Sequence, residues 1–163
     1  MLDSTIEKVQ KEEKSTSFYE KGLQFECLKC GKCCSGYPGY VYLSETDIER
    51  LSAFLHVDRT RFLEKYTRLV RVFHEQRLSL VEKFPYDCVF WDKTCTIYPA
   101  RPHQCRTYPF WKRYLVSRRE WNKIAEFCPG INRGKVYSRE EIDALIKTTP
   151  RYNILHFSPD FFK

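Results

Sequence analysis

The sequence predicts a small, irregular α+β single domain, with short helices and hairpins organised around a cysteine-ligated metal site. Three observations lead there. Four of the eight cysteines fall within Cys27-Leu28-Lys29-Cys30-Gly31-Lys32-Cys33-Cys34. Serines followed three residues later by a carboxylate, at Ser44/Asp47, Ser117/Glu120 and Ser138/Glu141, open apolar runs of helical period. Short β-branched and aromatic runs alternate with turn residues, and no βαβ rhythm links them.

Residues 1–22 read as a charged N-terminal arm, with Lys8, Lys11, Glu12, Glu13 and Lys14 nearly consecutive. Leu2, Ile6 and Val9 sit at helical spacing and suggest a short surface helix. The domain proper is placed at 23–147. It begins with extended chain around Leu23 and Phe25 that leads into the cysteine run. Gly31 supplies the backbone freedom a tight turn needs there, and Ser35 to Tyr40 read as a loop wrapping the site. Val41-Tyr42-Leu43 is a short strand candidate. Ser44 then caps a helix carrying Ile48, Leu51, Phe54 and Leu55 on one face, and Asp58 caps a second with Phe62, Leu63 and Tyr66.

Arg68 to Phe73 and Arg77 to Phe84 predict a hairpin turning at His74-Glu75-Gln76, ended by Pro85. Cys88 and Cys95, with Asp92-Lys93-Thr94 before the second, are expected to face each other across another hairpin. A helical turn is expected to start at Pro99 or Pro102, carry His103 and Cys105, and stop at Pro109. Ser117 caps a helix through Trp121, Ile124 and Phe127 to Cys128, and Ser138 caps the last, through Ile142, Leu145 and Ile146. Residues 148–163 form an apolar tail with Tyr152, Ile154, Leu155, Phe157, Phe161 and Phe162. It is expected to pack on the domain or to meet a protein partner.

At 163 residues the chain is long enough for one core of its own, and 42% hydrophobic with 30% charged residues is the balance of an ordered globule. No apolar run reaches the length of a membrane span, and the first residues lack the basic and apolar segments of a secretory signal. A cytoplasmic location is the expectation. In a reducing compartment eight cysteines point to metal rather than disulfides, and adjacent Cys33 and Cys34 do not readily bridge to each other. The net charge of +7 invites a nucleic-acid reading, but thiolates offset much of it and no recognisable basic motif accompanies it.

Cys27, Cys30, Cys33, Cys34, Cys88, Cys95, Cys105 and Cys128 are therefore the candidate metal ligands. Eight thiols fit two closed four-thiolate zinc sites. They fit equally one four-iron four-sulfur cluster with a second site, since Cys27, Cys30 and Cys33 with a remote Cys128-Pro129 follow a ferredoxin-like spacing. Cys34, Cys88, Cys95 and Cys105 then form the other set, although Cys33 and Cys34 are interchangeable on spacing alone. As neighbours, those two are expected to diverge toward different ions or cluster edges. Most of Tyr37, Tyr40, Phe90, Trp91, Tyr108, Phe110 and Trp111 are expected in the core. His103 is read as holding its turn rather than as a ligand, and Arg101 and Arg106 as offsetting thiolate charge. No H-E-x-x-H, P-loop or dinucleotide fingerprint is present.

With Phe25 to Cys34, Leu43 to Ile48, Cys88 to Cys95 with Ile97-Tyr98, Arg101 to Phe110 and Cys128 assembled, the chain resembles the YkgJ-type CxxCxxCC cysteine-cluster family, described as zinc- or iron-chelating domains. The resemblance covers about residues 23–130 and implies that the cysteines act together. A similar cysteine pattern occurs in flagellin lysine methylases, where it implies an iron–sulfur cluster assisting methyl transfer; no separate methyl-donor motif is visible here. The expected function is a metal-binding protein chelating zinc or iron, with an iron–sulfur redox or methyl-transfer enzyme as the alternative.

Overall fold

A computed structural model describes residues 17–150. The helix expected around Leu2, Ile6 and Val9, and the tail from residue 151, lie outside the described residues. Among the described residues there are five helices and eight short strands, all paired antiparallel in twos. This is the mixed α+β layout that the sequence predicts.

The chain builds two apolar cores, and the cysteines lie against both. Helix α1 (Glu45–Leu55) begins at Ser44, whose hydroxyl accepts the Asp47 N–H while the Asp47 carboxylate accepts the Ser44 N–H. Two of the four amide donors that a helix start leaves unpaired are involved in this reciprocal cap. Helix α2 (Arg59–Tyr66) begins at Asp58, which accepts the Arg61 N–H. The apolar stripes of α1 and α2 meet the hairpin of β2 (Thr67–Val72) and β3 (Glu75–Leu80). Ile48, Leu51, Phe62 and Leu63 are wholly buried there, with Leu43, Leu78, Leu80, Phe90 and Ile97.

The hairpin turns at Phe73-His74, earlier than the sequence suggests, because Phe73 takes the left-handed conformation (φ 55°). Val41 to Leu43 runs along β3 through Leu43 N–H to Leu78 O and Leu80 N–H to Val41 O, as the strand candidate there anticipates.

The second core joins β1 (Leu23–Phe25) and its partner strand Lys135–Tyr137 to the two later capped helices. Those helices span Arg118–Phe127 and Arg139–Lys147, capped by Ser117 and Ser138. Trp121 and Ile142 are fully buried, with Leu23, Phe25, Phe110, Leu115 and Ile131 around them. Phe18 and Tyr19 also pack here. The Tyr19 hydroxyl donates to Asp143 and Arg118 donates to Phe18 O, so residues 17–22 are fastened to the domain.

Between the cores lie two small strand pairs and two proline-initiated turns. β4 (Glu82–Lys83) pairs with β5 (Asp87–Cys88), and β6 (Trp91–Asp92) with β7 (Thr94–Cys95). Both candidate prolines start a turn: Pro99 lies in the 3-10 turn Tyr98–Ala100, and Pro102 precedes α3 (His103–Thr107). The later helices are then α4 (Arg118–Phe127) and α5 (Arg139–Lys147), and the Lys135–Tyr137 strand is β8.

Candidate metal centre

The cysteine run leaves β1 at Cys27 and folds through two left-handed residues, Lys29 (φ 53°) and Gly31 (φ 79°), before Cys34 N–H closes back on Gly31 O at 2.7 Å. Gly31 is required twice over. Its positive φ disfavours a side chain, and a Cβ built on it would lie 2.2 Å from the Trp91 ring. The indole of β6 therefore packs against the turn, and Cys34 is held by its carbonyl, which accepts the Cys88 N–H at 2.7 Å.

All eight candidate ligands line one cavity of about 1180 Å³. Cys88 and Cys95 pack on the first core, Cys27 and Cys128 on the second, and the turn of residues 30–34 spans the space between. Among the described residues no three Cys, His, Asp or Glu side chains converge closely enough to hold a single ion, and all eight cysteines are free thiols. The donor set suits the metals in question. Cysteine thiolates are ligands for both zinc and iron–sulfur centres, and here they face a common space lined by one carboxylate, Glu82, which is held by Arg68 and the Gly39 N–H.

Two details differ from the sequence-based expectation. Cys88 and Cys95 do not face each other across one hairpin: Lys93 takes a left-handed conformation (φ 55°), which puts Trp91 opposite Cys95, while Cys88 pairs with Glu82 in the preceding strand pair. The cavity brings the two thiols near each other instead, and each responds to charge on its neighbours. Second, Cys33 and Cys34 do not diverge. Their sulfurs are 3.6 Å apart, because the turn closed on Gly31 carries both thiols to the same side.

The electrostatics follow from burial. It pushes the Cys88 thiol up to about 11 and raises Cys95 and Cys128 above the usual thiol range, and Cys105 well above it. Cys33 is the exception. The adjacent Cys34 thiol stabilises its thiolate and draws it down to about 7, while the same contact pushes Cys34 strongly upward. Charge on Cys33 bears on Cys34, Cys88, Cys95, Cys105 and Cys128, which puts this residue at the middle of the set. Arg101 favours the thiolates of Cys33, Cys95 and Cys105, the charge-offsetting role expected of it; its guanidinium lies 3.7 Å from the Tyr98 ring centroid.

The aromatics divide differently from the expectation. Only Phe90 and Phe110 are core, whereas Tyr37, Tyr40, Trp91, Tyr108 and Trp111 line the cavity. Two phenols also lie near sulfur: Tyr98 near Cys27, and Tyr108, whose buried hydroxyl has no hydrogen-bond partner among the described residues, near Cys128; burial, and then the neighbouring thiol, raises each phenol. The sequence reading gave Tyr108 to the core and assigned Tyr98 no role, although each lies within a few residues of a cysteine, Tyr98 after Cys95 and Tyr108 after Cys105. His103 does not line the cavity. Its backbone N–H donates to Asp47 at 2.8 Å and its ring is half-buried beside Arg106, consistent with the turn-holding role.

A small mixed α+β domain whose eight thiols surround one cavity is a cysteine-cluster protein, and similarity to known sequences agrees. Residues 26–129 match the model of the CxxCxxCC family, described as a "putative zinc- or iron-chelating domain", and the chain belongs to that family. It is also similar to the uncharacterized protein MJ0661 of Methanocaldococcus jannaschii, 27% identical over 95 residues, covering 56% of this chain and 48% of that one. The chain thus spans about half the length of that relative. No solved structure matches. Among the described residues no helix is long and apolar enough to cross a membrane.

Proposed function

We propose that this chain is a cytoplasmic metal-binding module whose eight cysteines ligate zinc or iron inside the cavity they share. The observation that carries the reading is the gathering of every cysteine, from five separate stretches of sequence, onto one cavity wall. Buried thiols scattered through a core as small hydrophobes would not share a space. Cys88, Cys95, Cys105 and Cys34 form one ligand set, supported by the Cys88 N–H to Cys34 carbonyl bond. Cys27, Cys30, Cys33 and Cys128 form the other. Cys33 stands where the two meet, so the sets are neighbours rather than independent sites.

Visible absorption and elemental analysis, on protein purified without oxygen or added metal, test this. Thiolate-bound zinc, about two per chain and colourless, or iron with acid-labile sulfide and a brown colour, is the expected result. Protein that carries neither metal, and binds neither on titration, would overturn it. The second reading is an iron–sulfur enzyme. The breadth of the cavity favours it, because space beyond the sulfurs is what a substrate needs. A reversible one-electron bleaching of brown protein is its signature.

A further inference from the structure

The cavity is larger than its sulfur-lined part, and its remaining wall is cationic and aromatic. Seven cations line it against one carboxylate, Glu82. That carboxylate is already taken, by the Gly39 N–H at 2.8 Å and by Arg68 at 2.6 Å. Several of the cations are also committed. Arg77 pairs with Glu75, and Arg101 lies over Tyr98 while favouring the thiolates. Lys112, Arg113 and Lys147 have no carboxylate partner among the described residues.

These three cations share the cavity wall with an aromatic cluster. Trp111 and Tyr114 stack at 5.5 Å and 20°, and Tyr108 meets both rings edge-on. Trp111 is fixed by its indole N–H, which donates to Gln104 O at 3.1 Å. The Arg113 guanidinium lies 4.7 Å from the Trp111 ring centroid and 4.5 Å from that of Tyr114. It is held in place by the rings and by a hydrogen bond to the Tyr114 hydroxyl. Lys112 and Lys147 also border a second recess beside Tyr19 and Leu115, so this end of the cavity opens to the surface. Its volume of about 1180 Å³ is beyond the roughly 300–1,000 Å³ of pockets that enclose drug-sized ligands.

We infer that this end of the cavity binds a small organic anion, a carboxylate or phosphate carried on a flat apolar body. The body lies against Trp111 and Tyr114, and the anionic group meets Arg113, Lys112 and Lys147. A planar guanidinium with parallel N–H donors matches either kind of anion, and ring stacking supplies the area that a charge pair exposed to water does not. The inference rests on the proposed function only in giving the sulfurs to metal, so the anion site lies beside the metal centre and does not replace it.

The test is a titration of the metal-loaded full chain with 2-naphthoate, followed by quenching of tryptophan fluorescence, with 2-naphthamide and inorganic phosphate as the neutral and bodiless probes. Naphthoate is expected to bind saturably and at least about tenfold more tightly than either control, and Arg113→Ala combined with Lys112→Ala to weaken it by about tenfold or more. Metal content and thermal unfolding of that variant are expected to match the parent, since both side chains are exposed. Lys147→Glu, a second exposed change, is expected to weaken binding as well. Equal binding of naphthamide removes the anion from the inference, and equal binding of phosphate removes the flat body. Unchanged affinity in both variants overturns the site, and so does loss of metal in either, which would return these cations to the metal centre. Metal measured separately keeps a failure of the anion site distinct from a failure of the metal reading.

Discussion

Asp47 and His103 are joined by a 2.8 Å hydrogen bond from the His103 backbone N–H to the Asp47 Oδ1. The other carboxylate oxygen closes the cap on Ser44. One buried carboxylate therefore starts two helices: α1, which anchors the first core, and α3, which carries Cys105 to the cavity. Arg50 also approaches it, at 3.5 Å. The Leu43 to Ile48 and Arg101 to Phe110 segments are thus a single physical unit, although neither supplies more than one thiol.

Asp47→Ala is accordingly expected to cost about 2–3 kcal/mol of stability, since it removes a helix cap and charge-assisted bonds to buried amides together. Urea unfolding of the metal-loaded protein measures it. A cost below about 0.5 kcal/mol, the usual range for a surface change, would show that the carboxylate is not the link between the two helices. Ser44→Ala touches only α1 and is expected to cost less.

Gly31 and Trp91 provide a second prediction. Gly31→Ala meets both an unfavourable φ, worth about 1–2 kcal/mol, and the indole ring within 2.2 Å of the new Cβ. Metal occupancy of the purified protein is expected to fall, because the turn that presents Cys30, Cys33 and Cys34 has to open. In a Trp91→Ala background the same glycine substitution is expected to cost less, leaving only the backbone part. Equal costs in the two backgrounds would mean that the ring yields freely and that packing on Gly31 does not shape the turn.

The pH dependence of stability below pH 9 is expected to be much steeper with metal than without it. In the metal-free chain Cys34, Cys88, Cys95, Cys105 and Cys128 are raised, chiefly by burial and, for Cys34, by its contact with Cys33. A raised folded-state value makes a contribution that is complete below the unfolded thiol's value, near 9, and is lost as pH rises through the folded one, about 11 for Cys88. Cys33, drawn down to about 7, acts in a separate window: it adds a shallow one-proton rise from about pH 7 to 9, where the five raised thiols are protonated in both states and contribute no slope. Metal-free stability should therefore decline above pH 9. With metal bound the native thiolates hold no protons while the unfolded thiols do, so stability should climb toward pH 9. Unfolding midpoints measured with and without chelator from pH 6 to about 10 decide the matter. Parallel slopes would mean that the thiols do not take the metal.

The sequence made the frame legible where a short local signal acts alone. Ser44 with Asp47, Asp58, Ser117 with Glu120 and Ser138 with Glu141 each start a helix where expected, because an N-cap is satisfied within three residues. Pro99 and Pro102 start turns for a different local reason, a fixed φ and no N–H to leave unpaired. Register and direction were less visible. Left-handed Lys93 and Phe73 move two turns, and nothing in a lysine or a phenylalanine advertises positive φ. The cysteine set could be named from spacing, but its gathering into one cavity depends on two cores, one formed near α1 and one near α4, which meet only in three dimensions. The cavity's aromatic wall was mistaken for core, since composition does not tell a ring that faces a site from one that faces another ring.

Tyr108 carries the last prediction. Its hydroxyl is buried, has no hydrogen-bond partner among the described residues, and lies near Cys128. A buried O–H without a partner is costly. A thiolate on metal is the acceptor that would relieve it, making Tyr108 a positioning residue for Cys128. Tyr108→Phe keeps the ring contacts with Phe25, Trp111 and Tyr114 and removes only the donor. Loss of such a contact to a ligand typically weakens metal binding by about tenfold or more, so chelator extraction from the variant is expected to be faster by that order. If iron–sulfur is present, the variant's reduction potential should also fall, because one hydrogen bond to sulfur no longer stabilises the reduced cluster. Thermal stability of the metal-free chain, where Cys128 stays a neutral thiol, is expected to hold or rise in the same variant. A purely structural hydroxyl would give the opposite pattern, with stability lost and metal retention unchanged, and that result would remove Tyr108 from the metal centre.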